Sequence, residues 1–119
     1  MVIKGRIPSK KNSTITMCRN GRALHFPSNP YRTWHKDASS QLIGQKAIPT
    51  PCKLIIDFWF PDARKTDLSN KTESIMDLLV DNGIIPDDNC LEIPQLLLIY
   101  RGIDRLNPRA EIKYEPITS

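Results

Sequence analysis

With 119 residues, 39% of them hydrophobic, the chain has apolar material for one core and reads as a single domain over 1–119. A formal net charge of +4 suits a polyanionic partner. No run approaches the ~18 apolar residues that span a bilayer, and Met1-Val2-Ile3-Lys4-Gly5-Arg6 has no signal-peptide core, so no membrane partner is expected and a cytoplasmic location is.

Val2 to Ile7 alternates apolar and basic residues, as a half-buried strand does. Pro8-Ser9-Lys10-Lys11-Asn12-Ser13 is a polar loop with two adjacent lysines. Thr14 to Cys18 and Ala23 to Phe26 read as short strands turned by Asn20-Gly21, a strong hairpin signal. A helix is predicted from about Tyr31 to Lys46, capped by Asn29 with Pro30 in its first turn. Leu54 to Phe60 is the strongest strand, dense in β-branched and aromatic residues. A loop from Pro61 to Thr66 leads to a second helix over about Asn70 to Asn82, stopped by Gly83. Strands are expected at Gln95 to Tyr100 and Ala110 to Tyr114, joined by a basic loop. The fold class is α+β, a mixed sheet with two helices packed on it.

Cys18, Cys52 and Cys90 are odd in number and form no CxxC pair, so they are read as ordinary reduced thiols. The charges are unevenly spread. Basic residues occupy both flanks, and acidic ones gather between Asp57 and Glu92. That pattern suits a metal nuclease, with cations for phosphates and carboxylates for metal.

In the second helix, at about 100° per residue, Ile75, Met76, Leu78, Leu79 and Val80 share an apolar face, while Asn70, Glu73, Ser74, Asp77 and Asp81 lie opposite. Asp77 and Asp81 are read as a solvated acidic face. Glu73 is near enough to Asp67 along the helix to share a metal with it. Asp87 and Asp88, in the turn after the helix, are expected to join Asp67. Carboxylates meeting there would repel one another without a cation. Oxygen-only ligands favour Mg²⁺, with Mn²⁺ as a substitute. The metal would bind the scissile phosphate and lower the pKa of the attacking water, with Lys71 or Lys65 adding positive charge. Taken singly, Asp67 is a helix N-cap, and Asp87 and Asp88 are turn residues. His25 and His35 are assigned no catalytic role.

The run Phe60-Pro61-Asp62-Ala63-Arg64-Lys65-Thr66-Asp67-Leu68-Ser69-Asn70, the helix ending Asp81-Asn82-Gly83-Ile84-Ile85 and the following Pro86-Asp87-Asp88 resemble the RusA family of Holliday junction resolvases, often carried by phages. Ile7-Pro8-Ser9-Lys10-Lys11-Asn12 is similar to that family's opening segment. By this resemblance Asp67 matches the first catalytic aspartate, Asp88 the last, and Asn70 the asparagine that closes the motif. Ser69 stands where the family usually has a second aspartate, and Glu73 where it usually has a catalytic lysine. Glu73 is read as replacing the lost carboxylate and Lys71 the lost lysine. The resemblance implies a homodimer that hydrolyses paired phosphodiesters of a four-way DNA junction with Mg²⁺, in a bacterial or phage-infected cell. Lys10, Lys11, Arg64, Lys65, Arg101 and Arg105, with Asn70 beside them, would hold the DNA backbone.

Two rival readings remain. Asp62 with Glu111 and Lys113 mimics a restriction-nuclease PD…ExK signature. Alternatively the chain is a non-catalytic DNA- or RNA-binding module, with Tyr31, Trp34 and Trp59 available for stacking, although Trp59 is expected in the core and Trp34 between its helix and the sheet.

Overall fold

The computed structural model describes residues 1–9, 14–19, 22–27 and 29–117, with backbone alone over 14–19 and 22–27. The elements are β1 (Val2–Lys4), β2 (Thr14–Arg19), β3 (Arg22–Pro27), α1 (Asn29–Gln41), β4 (Cys52–Phe60), α2 (Leu68–Asp81), β5 (Gln95–Ile103) and β6 (Arg109–Pro116). A four-stranded mixed sheet runs β1-β6-β4-β5, and β2 and β3 form a separate antiparallel pair. The fold is α+β, as the sequence predicts.

β4 is central because both faces of it can be buried. Cys52, Leu54, Ile56, Phe58 and Phe60 are buried on the face toward the helices. Their partners in register are Leu98 and Tyr100 on β5 and Ala110 and Ile112 on β6. Ile75, Met76, Leu78 and Leu79 of α2, and Tyr31, Trp34 and Ala38 of α1, complete that layer. β4 and β5 are parallel, a pairing that needs a crossover, and α2 supplies it.

Several boundaries differ from expectation. β1 stops at Lys4 because Gly5 takes a positive φ of 105° and its N–H turns to the Pro108 carbonyl. α1 begins at Asn29 and ends five residues early, at Gln41, where the chain turns through Gly44 at φ 81°. β5 continues to Ile103, taking in the first residues of the predicted basic loop. β2 and β3 pair with Arg19 opposite Arg22, leaving two residues for the connection that Asn20-Gly21 predicts.

α2 carries one correction of consequence. Ser74, assigned above to the polar face, is wholly buried, and its hydroxyl donates to the Pro8 carbonyl at 2.6 Å. A small hydroxyl can enter an apolar interface when its hydrogen bond is satisfied. This bond ties the N-terminal segment to α2. Ser74→Ala should orphan that carbonyl and lower stability by about 1–2 kcal/mol, read as a lower urea midpoint at unchanged slope.

No helix among the described residues is long and apolar enough to cross a membrane.

Candidate nucleic-acid and metal site

Geometry assembles one basic pocket where β4 ends and α2 begins. A cavity of about 380 Å³ is lined by Arg6, Ile7 and Ser9 from the segment after β1, by Phe60 to Asp62 and Arg64 to Asp67, and by Asn70 and Lys71. Four cations (Arg6, Arg64, Lys65 and Lys71) face two carboxylates (Asp62 and Asp67). The strand order explains the convergence. β1 and β4 both run antiparallel to β6, so both point their C-terminal ends the same way. The β5–β6 turn closes on this end too, since the Asp104 N–H donates to the Phe60 carbonyl at 2.8 Å. Exposed Arg105 lies in that turn.

Asp67 caps α2. Its Oδ1 accepts the Ser69 N–H at 3.0 Å and the Ser69 hydroxyl at 2.7 Å. A carboxylate has about four lone-pair sites, so capping and metal binding are compatible. Ser69 thus acts as a neutral donor to Asp67. Asp62 is paired with Arg6 and with Arg64, the latter at 3.3 Å. The Arg64 backbone N–H, followed by the charges of Arg64 and Arg6, holds its carboxyl below the usual range. Lys71 is pushed down, first by loss of water and then by repulsion from Arg6 and Arg64, partly offset by Asp62. An anion entering the pocket relieves that repulsion. A helix N-terminus adds a favourable partial positive charge.

The other expected metal ligands do not join Asp67 within the chain. Asp87 and Asp88 follow the far end of α2, whose 14 residues span about 21 Å at 1.5 Å each. They lie beside the start of β4, where the Ile84 carbonyl accepts from Ile48 and the Glu92 carbonyl from Cys52. Parallel strands joined by a helix put the two connections at opposite ends of the sheet, so the expected meeting is corrected. Asp87 serves its own turn, accepting the Asp88 N–H at 2.7 Å and the Asn89 amide at 3.2 Å. Those two donors, in that order, hold its carboxyl below the usual range. Glu73 is exposed and does not line the pocket, which Asn70 and Lys71 reach from the same helix. Of the two residues read as replacing a lost carboxylate and a lost lysine, Lys71 lines the pocket and Glu73 does not.

Arg101 sits in β5, outside the pocket lining, and donates to Asp57 at 2.6 Å on the sheet face away from the helices. Lys113 stands 3.6 Å from the same carboxylate. Arg109 is bonded to Glu111 at 2.8 Å and lies 4.0 Å over the Trp59 ring. Trp59 is thus half-buried on that face, not in the core. The PD…ExK reading is not assembled, since Glu111 faces Asp57 inside the sheet while Asp62 lies beyond the end of β4. Tyr31 and Trp34 are buried, and Trp59 is covered by a guanidinium, so none offers an open stacking surface. Lys10 and Lys11 lie outside the described residues.

One grouping was not anticipated. His35 of α1 meets Asp77 and Asp81 of α2. The signal in the sequence was the i, i+4 pair of carboxylates with no basic residue on their face, read there as solvated.

No known family model matches the chain, and no curated protein matches it. Residues and geometry therefore carry the functional reading.

Proposed function

We propose that the protein is a metal-dependent endonuclease for branched DNA, acting as a homodimer on four-way junctions. The observation that carries this reading is the basic pocket around Asp67. Its cations suit the backbone phosphates, and Asp67 is the carboxylate there that a phosphate-bound metal would use, Asp62 being paired with Arg6 and Arg64. Mg²⁺ sites are commonly built from one or two carboxylates, waters and substrate phosphate. Asp67 fits that requirement, with Asp62 and the Asn70 amide lining the same cavity. Bound there, the metal would supply an activated water and a Lewis acid for the leaving oxygen. The protein's own part is to hold the phosphate with Arg64, Lys65 and Lys71, and to orient the Asp67 carboxylate through the cap of α2. A two-fold dimer suits paired incisions in a two-fold junction.

A non-catalytic backbone binder is the second reading. Its support is the placement of Asp87 and Asp88 at the opposite end of α2, which leaves the pocket poorer in carboxylates than the resemblance implies.

The deciding experiment is incubation of purified protein with a synthetic four-way junction in Mg²⁺ and in chelator. Paired, metal-dependent incisions support the nuclease. Equal binding in both, with no cutting in Mg²⁺ or Mn²⁺, leaves the binder. Under either reading Lys65→Ala should weaken junction binding at all sequences and flatten the log–log salt dependence by about 0.9, the value for one lost phosphate contact. An unchanged slope would remove Lys65 from the interface.

A further inference from the structure

We propose that His35, Asp77 and Asp81 form a binding site for a divalent transition-metal ion of the zinc class, clamping α1 to α2. It is separate from the Asp67 pocket and does not depend on the nuclease reading. One ligating atom from each side chain falls within 4.8 Å of the other two. A cavity of about 300 Å³ opens over them, with Tyr31, Arg32 and Lys36 completing its lining.

The donor set points to the ion class. One imidazole nitrogen with two carboxylate oxygens suits zinc, cobalt or manganese better than magnesium, which prefers oxygen alone. Zinc bonds run about 2.0–2.2 Å, which brings tetrahedral ligands to roughly 3.3 Å of one another. His35 Nε2 and Asp81 Oδ2 are already 2.9 Å apart. Asp77 offers a carboxylate oxygen within 4.8 Å of both.

The surroundings of the ligands match what metal-bound side chains usually have. The Ser39 hydroxyl stands 3.4 Å from His35 Nδ1, so the far ring nitrogen is engaged and Nε2 faces the carboxylates. The Tyr31 hydroxyl donates to Asp77 at 2.5 Å. Outer partners of this kind set the orientation of ligating imidazoles and carboxylates.

Electrostatics supplies an independent reason for a cation. Asp77 and Asp81 are like charges at i, i+4, which repel on a helix. They also occupy the last turns of α2, where the helix dipole disfavours negative charge, and α2 has no basic residue in its last turn. Arg32 and Lys36, which line the same cavity, meet part of that charge; a divalent ion bound by both aspartates and by His35 would meet more of it and cross-link the two helices.

The test is a Co²⁺ titration of the intact protein, read by visible absorption, with a thermal melt in Zn²⁺ and in chelator. The expected result is ligand-field bands on Co²⁺ addition. A melting temperature higher by roughly 5–10 °C is also expected at a Zn²⁺ concentration about one hundred times Kd. His35→Gln and Asp81→Asn change side chains at the exposed side of the site, so folded variants are expected, with circular dichroism in chelator as the check. Each should weaken Co²⁺ binding at least about tenfold and abolish the Zn²⁺ shift. Absence of bands in the native protein overturns the site and leaves a plain His35–Asp81 ion pair. Unchanged Co²⁺ binding in both variants overturns it equally, by placing the ion elsewhere.

Discussion

Asp67→Asn should leave α2 capped and the junction bound while reducing cleavage by on the order of 100-fold or more. Asparagine is as good an N-cap as aspartate, and its side-chain oxygen can still accept the Ser69 N–H that Asp67 takes at 3.0 Å. What changes is the charge. A metal at a phosphoryl centre stabilises the transition state by several kcal/mol, and each 1.36 kcal/mol is tenfold in rate. Under the proposed nuclease reading, loss of the carboxylate that would hold it should therefore appear mainly in kcat, with little change in junction affinity or melting temperature. Asp67→Ala separates the two roles, since it removes the cap as well and should cost about 1 kcal/mol of stability. Cleavage by Asp67→Asn at the native rate would remove Asp67 from the chemistry. Asp88→Asn, by contrast, should be nearly silent in the same assay, because Asp88 lies at the other end of the sheet from the pocket.

Arg101→Met should be the most destabilising of the surface-charge substitutions. Asp57 is 1% exposed and lies on the sheet face away from the helices, with Arg101 Nε at 2.6 Å and Lys113 Nζ at 3.6 Å. Without the guanidinium, a buried carboxylate keeps only a longer contact to an exposed lysine. Breaking a buried pair from one side costs about 3–5 kcal/mol. Arg101 is itself 46% exposed on the edge strand β5, so water can partly replace it. The lower end of the range, about 3 kcal/mol, is expected, with a fall in melting temperature of roughly 10 °C. Lys113→Ala should cost under about 1 kcal/mol, as exposed pairs do. The double replacement Asp57→Leu with Arg101→Met should recover most of the loss, since removing both members of a buried pair is often near neutral. Urea denaturation of the three variants measures this. If Arg101→Met costs no more than Lys113→Ala, the pair does not hold the sheet.

These two cases mark what could be read in the chain and what could not. The strand end and capped helix that frame the pocket around Asp67 were legible because their signals are local. A strong strand, a basic loop, an aspartate before a helix and a glycine after it follow one another along the chain, and each element forms nearly where its own residues predict. The same locality explains the small boundary errors at Gly5 and Gly44, where a single positive φ ends an element that periodicity alone would continue.

Residue pattern by itself therefore determined the α+β class, the order of the elements, the hairpin register and the capped start of α2. Tertiary structure alone decided which distant residues meet. A parallel β4–α2–β5 crossover sends Asp67 and Asp88 to opposite ends of the sheet, although in the chain they merely flank one helix. The packing of α1 on α2 turns His35, Asp77 and Asp81 from separate polar residues into one cluster. Register between β4, β5 and β6 buries Asp57 under Arg101 and Lys113. Local propensity acts over one or two turns of chain, whereas a site depends on charges brought together across long loops. Their energies exist only after the sheet and helices have set the distances.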